Sequence, residues 1–224
     1  MFILSKWRRV LSKIGSRVEK QADDPDDRLI REFISGQEEA FTEILGHYKS
    51  LVLNVAYRFL RDRTEAEDVA QDVFLKIYRS ARTYEPKAKF STWVYKITSN
   101  VCLNRLRDEK NAPKSVSNGR QDPADTGASL FVGSSPGHFS PSEELERNER
   151  LTVVHDALQR LPANQRLALV LKRYQGLSYR EIAEILGCSP AAVDSLLQRA
   201  NGKLRKFLEP YFADRGVSRK GPQS

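Results

Sequence analysis

The side chains best suited to chemistry lie in one segment, residues 176–205, which reads GLSYREIAEILGCSPAAVDSLLQRANGKLR. Its apolar positions recur at helical spacing and predict an inner face, so the positions between them point outward. The outward positions are small, polar or basic, and such side chains can hydrogen-bond base edges and phosphates in a DNA major groove. The outward set is Ala191, Ala192, Asp194, Ser195, Gln198, Arg199 and Lys203. The alternative is an ordinary helical hairpin whose polar face is simply solvated.

Two helices and a tight turn are predicted to position this outward set. Ser178 stands three residues before Glu181, a spacing that lets each side chain satisfy a free backbone donor at a helix start. Gly187 is predicted to end that helix. Ser189 followed by Pro190 is predicted to begin the next, because a hydroxyl caps free N–H groups and proline lacks the amide that would be unpaired. The segment therefore predicts a helix-turn-helix.

Composition narrows the class of protein. The chain has 224 residues and a net charge of +8, which favours a polyanionic partner. Its two cysteines and three histidines lack ligand spacing, so we expect no disulfide framework, no metal and no other cofactor. No apolar run approaches the roughly 18–20 residues of a membrane span, and the apolar segment at the start is too short for a secretory signal. We expect a cytoplasmic protein.

The pattern along the chain predicts an all-α protein with two small helical domains joined by a flexible linker. Long stretches follow the helical period, and no strand alternation is present. Residues 113–142 are rich in Pro, Gly, Ser and Asp and are typical of a linker. The predicted divisions are an N-terminal arm (1–23), a first helical domain (24–112), the linker (113–142), a second helical domain (143–212) and a tail (213–224).

The N-terminal arm is basic and amphipathic. Its apolar residues recur at helical spacing among lysines and arginines, a pattern typical of helices that lie on anionic membranes. Contact with a membrane surface or with a protein partner is one interpretation of this arm. An unstructured arm without a function is the other.

A helix in the first domain is predicted to present a docking face. Thr64 and Glu67 have the spacing of a capping box at its start. Polar and charged side chains gather on the side opposite its apolar stripe, with a leucine in their middle. This set is Asp68, Gln71, Asp72, Leu75 and Arg79. We interpret it as a protein-docking surface, the alternative being one isolated exposed leucine.

Aromatic and basic residues alternate in the next stretch. A loop from Tyr84 to Ser91 contains a proline and two lysines, and the helix after it places Trp93 on a packing side. A neighbouring strip of that helix is formed by Lys96, Asn100, Leu103 and Arg107. Single-stranded nucleic acid is held by such a combination, because cations follow phosphates and rings stack on bases. For Trp93 alone, burial in the core is the competing interpretation.

Three segments together resemble one known family. They are DVAQDVFLKIYRS, FSTWVYKITSNVCLNRLR and LPANQRLALVLKRYQGLSYREIAEILGCSPAAVDSLLQRA, in this order along the chain. The combination is similar to the extracytoplasmic-function (ECF) group of the sigma-70 family, the bacterial factors that give RNA polymerase its promoter specificity. The resemblance assigns the first helical domain to sigma region 2 and the second to region 4.

The resemblance also implies partners and roles for three sets of residues. The β′ clamp helices of core RNA polymerase would bind Asp68, Gln71, Asp72, Leu75 and Arg79. The melted, single-stranded minus-10 element would contact Tyr84, Lys87, Lys89, Phe90, Trp93, Lys96, Asn100 and Arg107. The minus-35 duplex would contact Arg180, Ser189, Ala191, Ala192, Asp194, Ser195, Gln198, Arg199 and Lys203. Region 4 would also face the β flap, an anti-sigma protein is the implied regulator, and no catalytic residue is expected.

Asp194 departs from the basic residues that relatives often carry early in the recognition helix. A carboxylate cannot bind phosphate but can accept a hydrogen bond from cytosine N4, so a base contact is a hypothesis for Asp194. A side chain that only caps or repels is the alternative. Arg199 and Lys203 are predicted to contact phosphates.

Two other functions compete with this interpretation. A conventional helix-turn-helix regulator would control polymerase from an operator, but it normally needs an effector domain or a dimer interface. The first domain offers instead an acidic docking face and an aromatic, basic strip, which fit capture of a single strand better than ligand sensing. A nucleic-acid enzyme would need clustered carboxylates for metal ions or a nucleophile with a base. Glu65, Glu67, Asp68 and Asp72 share a helix on which only some of them converge, so an enzyme is not expected.

Overall fold

The structure, a computed structural model, describes residues 25–85, 88–111 and 141–214. The predicted N-terminal arm, nearly all of the predicted linker, Lys87 and most of the predicted tail lie outside these residues. Within the described ranges the chain forms α-helices, one 3₁₀ turn and no strand, which confirms the all-α prediction. The helices are α1 (Pro25–Ile34), α2 (Glu38–Leu60), α3 (Arg63–Ser80), α4 (Phe90–Asn111), α5 (Pro141–Gln159), α6 (Ala163–Tyr174), α7 (Tyr179–Leu186) and α8 (Pro190–Asp214).

The chain divides into two compact units. In the first, α2 packs against both α1 and α3, and the 3₁₀ turn at Ala81–Thr83 follows α3 directly. Aliphatic and aromatic side chains at helical spacing fill the space between these helices, as an apolar stripe on each helix requires. The largest fully buried members are Ile30, Ile44, Val52, Val55, Phe59, Val69, Val73 and Ile77.

The start of α3 differs from the predicted one. Arg61 adopts the left-handed conformation, with φ at 66°, and its N–H bonds back to the last turn of α2, which ends there. Asp62 then accepts the N–H of Glu65 at 2.8 Å and caps α3. The predicted capping box of Thr64 with Glu67 is wrong, because the Asp62 carboxylate caps the helix earlier in the chain. Glu67 instead pairs with the arginine four residues before it, at 3.0 Å.

In the second unit, α8 packs against α5 and α6. Arg166 on α6 is only 4% exposed, and its guanidinium donates to the side-chain oxygen of Gln159 at 2.5 Å and to the Gln159 carbonyl at 2.6 Å. These bonds supply partners at the end of α5, where helical carbonyls have none within their own helix. Burial lowers the pKa of Arg166, and the nearby carboxylate of Glu109 opposes that shift.

The outer helices extend slightly beyond the predicted domain limits. Helix α5 begins at Pro141, two residues before the predicted start of the second domain. Helix α8 continues to Asp214 and passes through Pro210 without ending there. Across the described ranges, none of the helices combines the length and the apolar character needed to cross a membrane.

Candidate nucleic-acid interface

Helix α7 begins with the predicted capping box. The Ser178 N–H donates to Glu181 Oε2 at 2.8 Å, and the Glu181 N–H donates to Ser178 Oγ at 3.3 Å. The segment before α7 is held to α6 by Lys172, whose Nζ donates to the Leu177 carbonyl at 3.1 Å. The same ammonium lies 5.2 Å from the ring centroid of Tyr179, within cation–π range.

The turn between α7 and α8 also follows the prediction. Gly187 has φ at 65°, in the left-handed region. The N–H of the next residue, Cys188, donates to the Ala183 carbonyl at 2.9 Å, and this bond across six residues is the one that defines a Schellman motif. Ser189 Oγ accepts the N–H of Ala192 at 3.1 Å and caps α8. The predicted helix-turn-helix is therefore confirmed in its local bonding.

The two faces of α8 separate as its periodicity predicts. Val193, Leu197 and Ala200 are buried. The predicted minus-35 set is at least partly accessible throughout: Arg180, Ser189, Ala191, Ala192, Asp194, Ser195, Gln198, Arg199 and Lys203. Within it, Gln198 Nε2 donates to Asp194 Oδ2 at 2.9 Å, so the acid and the amide form one surface pair.

An aromatic cluster lies at the start of α4. Ring centroids are 4.9 Å apart for Tyr84 and Trp93, 5.4 Å for Tyr84 and Phe90, and 5.5 Å for Phe90 and Trp93, and Tyr48 adds a fourth ring 5.3 Å from Phe90. Phe90 is completely buried. Its expected contact with DNA is therefore not available in this structure, because the ring fills the space beneath Trp93. Tyr84 and Trp93 are half-buried, so each is a packing residue that keeps part of its surface accessible.

Exposed polar side chains accompany this cluster along α4. In the predicted strip beside Trp93, Lys96, Asn100 and Arg107 are exposed and Leu103 is half-buried. Lys89, in the loop before α4, is also exposed. Lys87, the remaining member of the predicted minus-10 set, lies outside the described residues. The exposed members combine positive charge and an amide next to partly accessible rings, which suits a single strand of nucleic acid.

The predicted docking face on α3 is exposed to solvent. Its polar members Asp68, Gln71, Asp72 and Arg79 are exposed, and Leu75 in their middle is 46% exposed. A groove of about 570 Å³ runs alongside this face between α2 and α3. It is lined by Leu45, Gly46, Lys49, Leu53, Glu67, Ala70, Gln71 and Phe74.

Two features escaped the sequence interpretation. Tyr78, three residues after Leu75, is 48% exposed and packs its ring against Phe33 and Phe41 at centroid distances of 5.0 and 5.2 Å. The spacing of Tyr78 from Leu75 was a usable signal, since residues three apart share a helix face. The second feature is the buried carboxyl group of Asp27. The helical period could not predict its burial, because that pattern assigns apolar residues to buried positions.

The described residues contain no group of three or more metal-ligating side chains. Cys102 is buried, and burial raises the pKa of its thiol to about 12, whereas Cys188 is exposed in the turn before α8. Together the helical fold and its helix-turn-helix define a DNA-binding protein with further exposed surfaces for partners.

Comparisons with known proteins identify the family. The family models for sigma-70 region 2 and sigma-70 region 4 match residues 44–112 and 151–204. The RNA polymerase sigma-H factor of Pseudomonas aeruginosa is 32% identical over 193 residues, which cover 85% of this chain and 97% of that protein. The ECF RNA polymerase sigma-E factor of Haemophilus influenzae is 30% identical over 187 residues, covering 83% and 96% of the two chains. The chain therefore belongs to the sigma-70 family of RNA polymerase sigma factors, in its ECF group.

Solved structures agree with this assignment at the level of the fold. CnrH, solved in complex with the cytosolic domain of CnrY, matches with a TM-score of 0.59 and 24% identity, over 84% of this chain and 99% of that one. The sigma factor RpoE from Bartonella quintana, solved with the anti-sigma factor NepR, matches with a TM-score of 0.53 and 24% identity, over 75% and 96% of the chains.

The function follows from the family. The protein is an RNA polymerase sigma factor that binds core polymerase and directs promoter-specific initiation of transcription, and it acts as a regulator of that process. The comparisons support this function and not the alternative of a conventional helix-turn-helix regulator.

Proposed function

We propose that three surfaces of this sigma factor divide the work of initiation. The α3 face of Asp68, Gln71, Asp72, Leu75 and Arg79 binds the β′ clamp helices. The exposed side of α4 with Trp93 captures the melted minus-10 strand, and the start of α8 reads the minus-35 duplex. The protein acts in the cytoplasm, where its polymerase is, and supplies binding energy without a catalytic residue of its own.

The observation that carries this proposal is the exposure of Leu75 among charged and amide side chains. An exposed leucine at the centre of a polar face is typical of a docking surface with an apolar core and a polar rim. Complete burial of a leucine side chain contributes roughly 1.5–3 kcal/mol. Because Leu75 is 46% exposed, its burial by a partner contributes on the order of 1 kcal/mol.

Run-off transcription with sigma-free core polymerase, with and without this protein, tests the proposal on genomic fragments that include the chain's own upstream region. Specific start sites are expected only when the protein is present. Leu75→Asp should weaken binding to core by about tenfold or more, because docking would desolvate an unpaired carboxylate. Leu145→Asp is the matched control, since Leu145 on α5 is 63% exposed and outside all three surfaces. Equal effects of the two substitutions would refute the role of the α3 face.

The start of α8 is tested by two kinds of variant. Arg199→Ala and Lys203→Ala should weaken promoter binding almost equally on all minus-35 sequences and reduce the salt slope by about one unit each, as loss of a phosphate contact does. Asp194→Ala should instead alter discrimination at one base pair. Gln198→Ala removes the amide that is hydrogen-bonded to Asp194. The Asp194 carboxylate should then still prefer cytosine, so this variant should keep the discrimination that Asp194→Ala loses. Unchanged discrimination in Asp194→Ala would end the base-contact hypothesis.

A dedicated anti-sigma protein is the partner that the family suggests for regulation. An alternative sigma factor that was always free would compete continuously for core polymerase. We expect such a partner to exclude core by covering the α3 face, so Leu75→Asp should weaken both complexes. A partner that bound Leu75→Asp and wild-type chains equally would have to act on another surface.

A further inference from the structure

A buried carboxylate joins the start of α1 to the segment before α4. Asp27, in the first turn of α1, is completely buried. Its Oδ1 accepts a hydrogen bond from the hydroxyl of Tyr84 at 2.5 Å, across a separation of 57 residues in sequence. The bond is short, and burial strengthens it because water cannot compete for either partner.

The Tyr84 hydroxyl also lies near the backbone of Ala88, just before α4. Tyr84 begins the short segment that precedes α4, directly after the 3₁₀ turn, and its hydroxyl oxygen lies 3.5 Å from the carbonyl oxygen of Ala88 near the segment's end. A hydroxyl has one proton to donate, and the shorter contact gives that proton to Asp27. The Tyr84 side chain therefore extends from its own backbone to the vicinity of Ala88, and its hydroxyl is bonded to Asp27 of α1.

The ring of Tyr84 continues this connection into the aromatic cluster. It packs 4.9 Å from Trp93 and 5.4 Å from Phe90, centroid to centroid. The exposed Lys89 lies immediately before α4, where its carbonyl accepts the N–H groups of Thr92 and Trp93 at 2.9 and 3.3 Å. Orientation of Tyr84 thus bears directly on the accessible side of Trp93, whose N–H is bonded to the backbone of the exposed Lys89.

We propose that Asp27 is a positioning residue for capture of the minus-10 strand: it fixes Tyr84, and Tyr84 fixes the open side of Trp93. This inference rests on the proposed function, because it assumes that the exposed side of α4 holds the melted strand. It gives α1, which contacts no DNA in this scheme, a part in promoter opening. Preorganisation of such a site lowers the cost of ordering it when the strand binds.

A neighbouring pair provides a matched control. Asp26 accepts a hydrogen bond from the hydroxyl of Tyr48 at 2.5 Å, and His47 Nδ1 lies 3.0 Å from its other oxygen. This pair also ties α1 to the rest of the unit, but through α2 and not through the segment before α4. Tyr48→Phe therefore removes one tyrosine–aspartate bond without touching the Asp27 anchor.

The first test uses fluorescence of the full-length chain. The protein has two tryptophans, so a Trp7→Phe background leaves Trp93 as the reporter. Tyr84→Phe keeps the ring and removes the anchoring hydroxyl, and Asp27→Asn keeps the shape and replaces one carboxyl oxygen by an amide nitrogen. Both should shift Trp93 emission to longer wavelength and increase its quenching by acrylamide, whereas Tyr48→Phe should not. Identical Trp93 spectra in all four proteins would overturn the proposal.

The second test uses holoenzyme on the fragment where run-off transcription with the wild-type chain maps a start site. Opening of the minus-10 region is measured by permanganate reactivity of its thymines. Tyr84→Phe should reduce opening by about tenfold, the effect of losing one buried hydrogen bond. Asp27→Asn should reduce it by less, because the amide oxygen can still accept the hydroxyl proton, and the double variant should be no worse than Tyr84→Phe alone. Each of these variants should bind core polymerase with wild-type affinity, and Tyr48→Phe should open the minus-10 region as well as the wild-type chain does.

These measurements separate the inference from the function on which it rests. A wild-type chain that yields no start site would refute the proposed function, and this inference with it. Wild-type opening by Tyr84→Phe on a mapped promoter would refute the inference alone. Equal losses of opening in Tyr84→Phe and Tyr48→Phe would also refute it, because they would indicate that α1 contributes only general stability.

Discussion

Gly187 is the residue whose substitution tests the helix-turn-helix most directly. Its φ of 65° is left-handed, and a β-carbon added there would meet no atom within 4 Å. Gly187→Ala therefore creates no clash, and its effect comes from backbone conformation alone. A left-handed non-glycine residue costs roughly 1–2 kcal/mol. Alanine also has less conformational entropy than glycine in the unfolded chain, and this offsets about 0.4–1 kcal/mol of that cost. The expected net loss is on the order of 1 kcal/mol.

The matched control is Gly202→Ala on α8. A β-carbon at Gly202 would also meet nothing within 4 Å, but Gly202 lies inside a helix and carries no left-handed φ. The same chemical change should therefore stabilise the chain there by roughly 0.5–1 kcal/mol. The two substitutions thus have opposite predicted signs, although each adds a single methyl group to open space.

Hydrogen exchange of α7 and α8 amides, followed by mass spectrometry, measures both effects locally. Gly187→Ala should speed exchange in α7 and in the first turn of α8, and Gly202→Ala should slow exchange in α8. Gly187→Asn should lie between wild type and Gly187→Ala, because asparagine tolerates the left-handed conformation better than alanine. Slower exchange in Gly187→Ala, comparable to that in Gly202→Ala, would refute the assignment of this turn.

Four further predictions concern reactivity and stability. A maleimide at about pH 8 should label Cys188 and spare Cys102 until urea unfolds the chain, because the buried thiol keeps its proton. Since burial raises the pKa of Cys102 from 9.0 to about 12, the unfolded chain loses this proton first and stability should fall as pH rises between those values; a flat profile would contradict this. Phe90→Ala should cost roughly 3–5 kcal/mol in urea unfolding monitored by tryptophan fluorescence, and Phe90→Leu less than about 1.5 kcal/mol; similar costs would argue against a tightly packed cluster. Asp62→Ala should cost about 1 kcal/mol and Thr64→Ala distinctly less in the same assay, and the reverse order would restore the capping box at Thr64.

Local signals predicted the helix-turn-helix because its determinants lie close together in sequence. The Ser178–Glu181 box, the left-handed glycine at 187 and the Ser189 cap each involve residues within five positions of one another. Such devices act through the backbone of their own turn, so neighbouring residues are sufficient to identify them. The same reasoning failed at Thr64, because the helix is capped by Asp62, two residues earlier in the chain.

The aromatic cluster required the tertiary structure. Periodicity placed Trp93 on a packing side, and the family resemblance placed Phe90 among the residues expected to touch DNA, yet Phe90 is the ring that is completely buried. Its burial depends on Tyr48 and Tyr84, which come from other elements and from other parts of the sequence. The helical period of α4 contains no information about those partners, and a loop residue at the start of a helix has no face until they are in place. The residues that hold a surface in position are therefore harder to predict than the residues on it, because their role is defined by contacts across the fold.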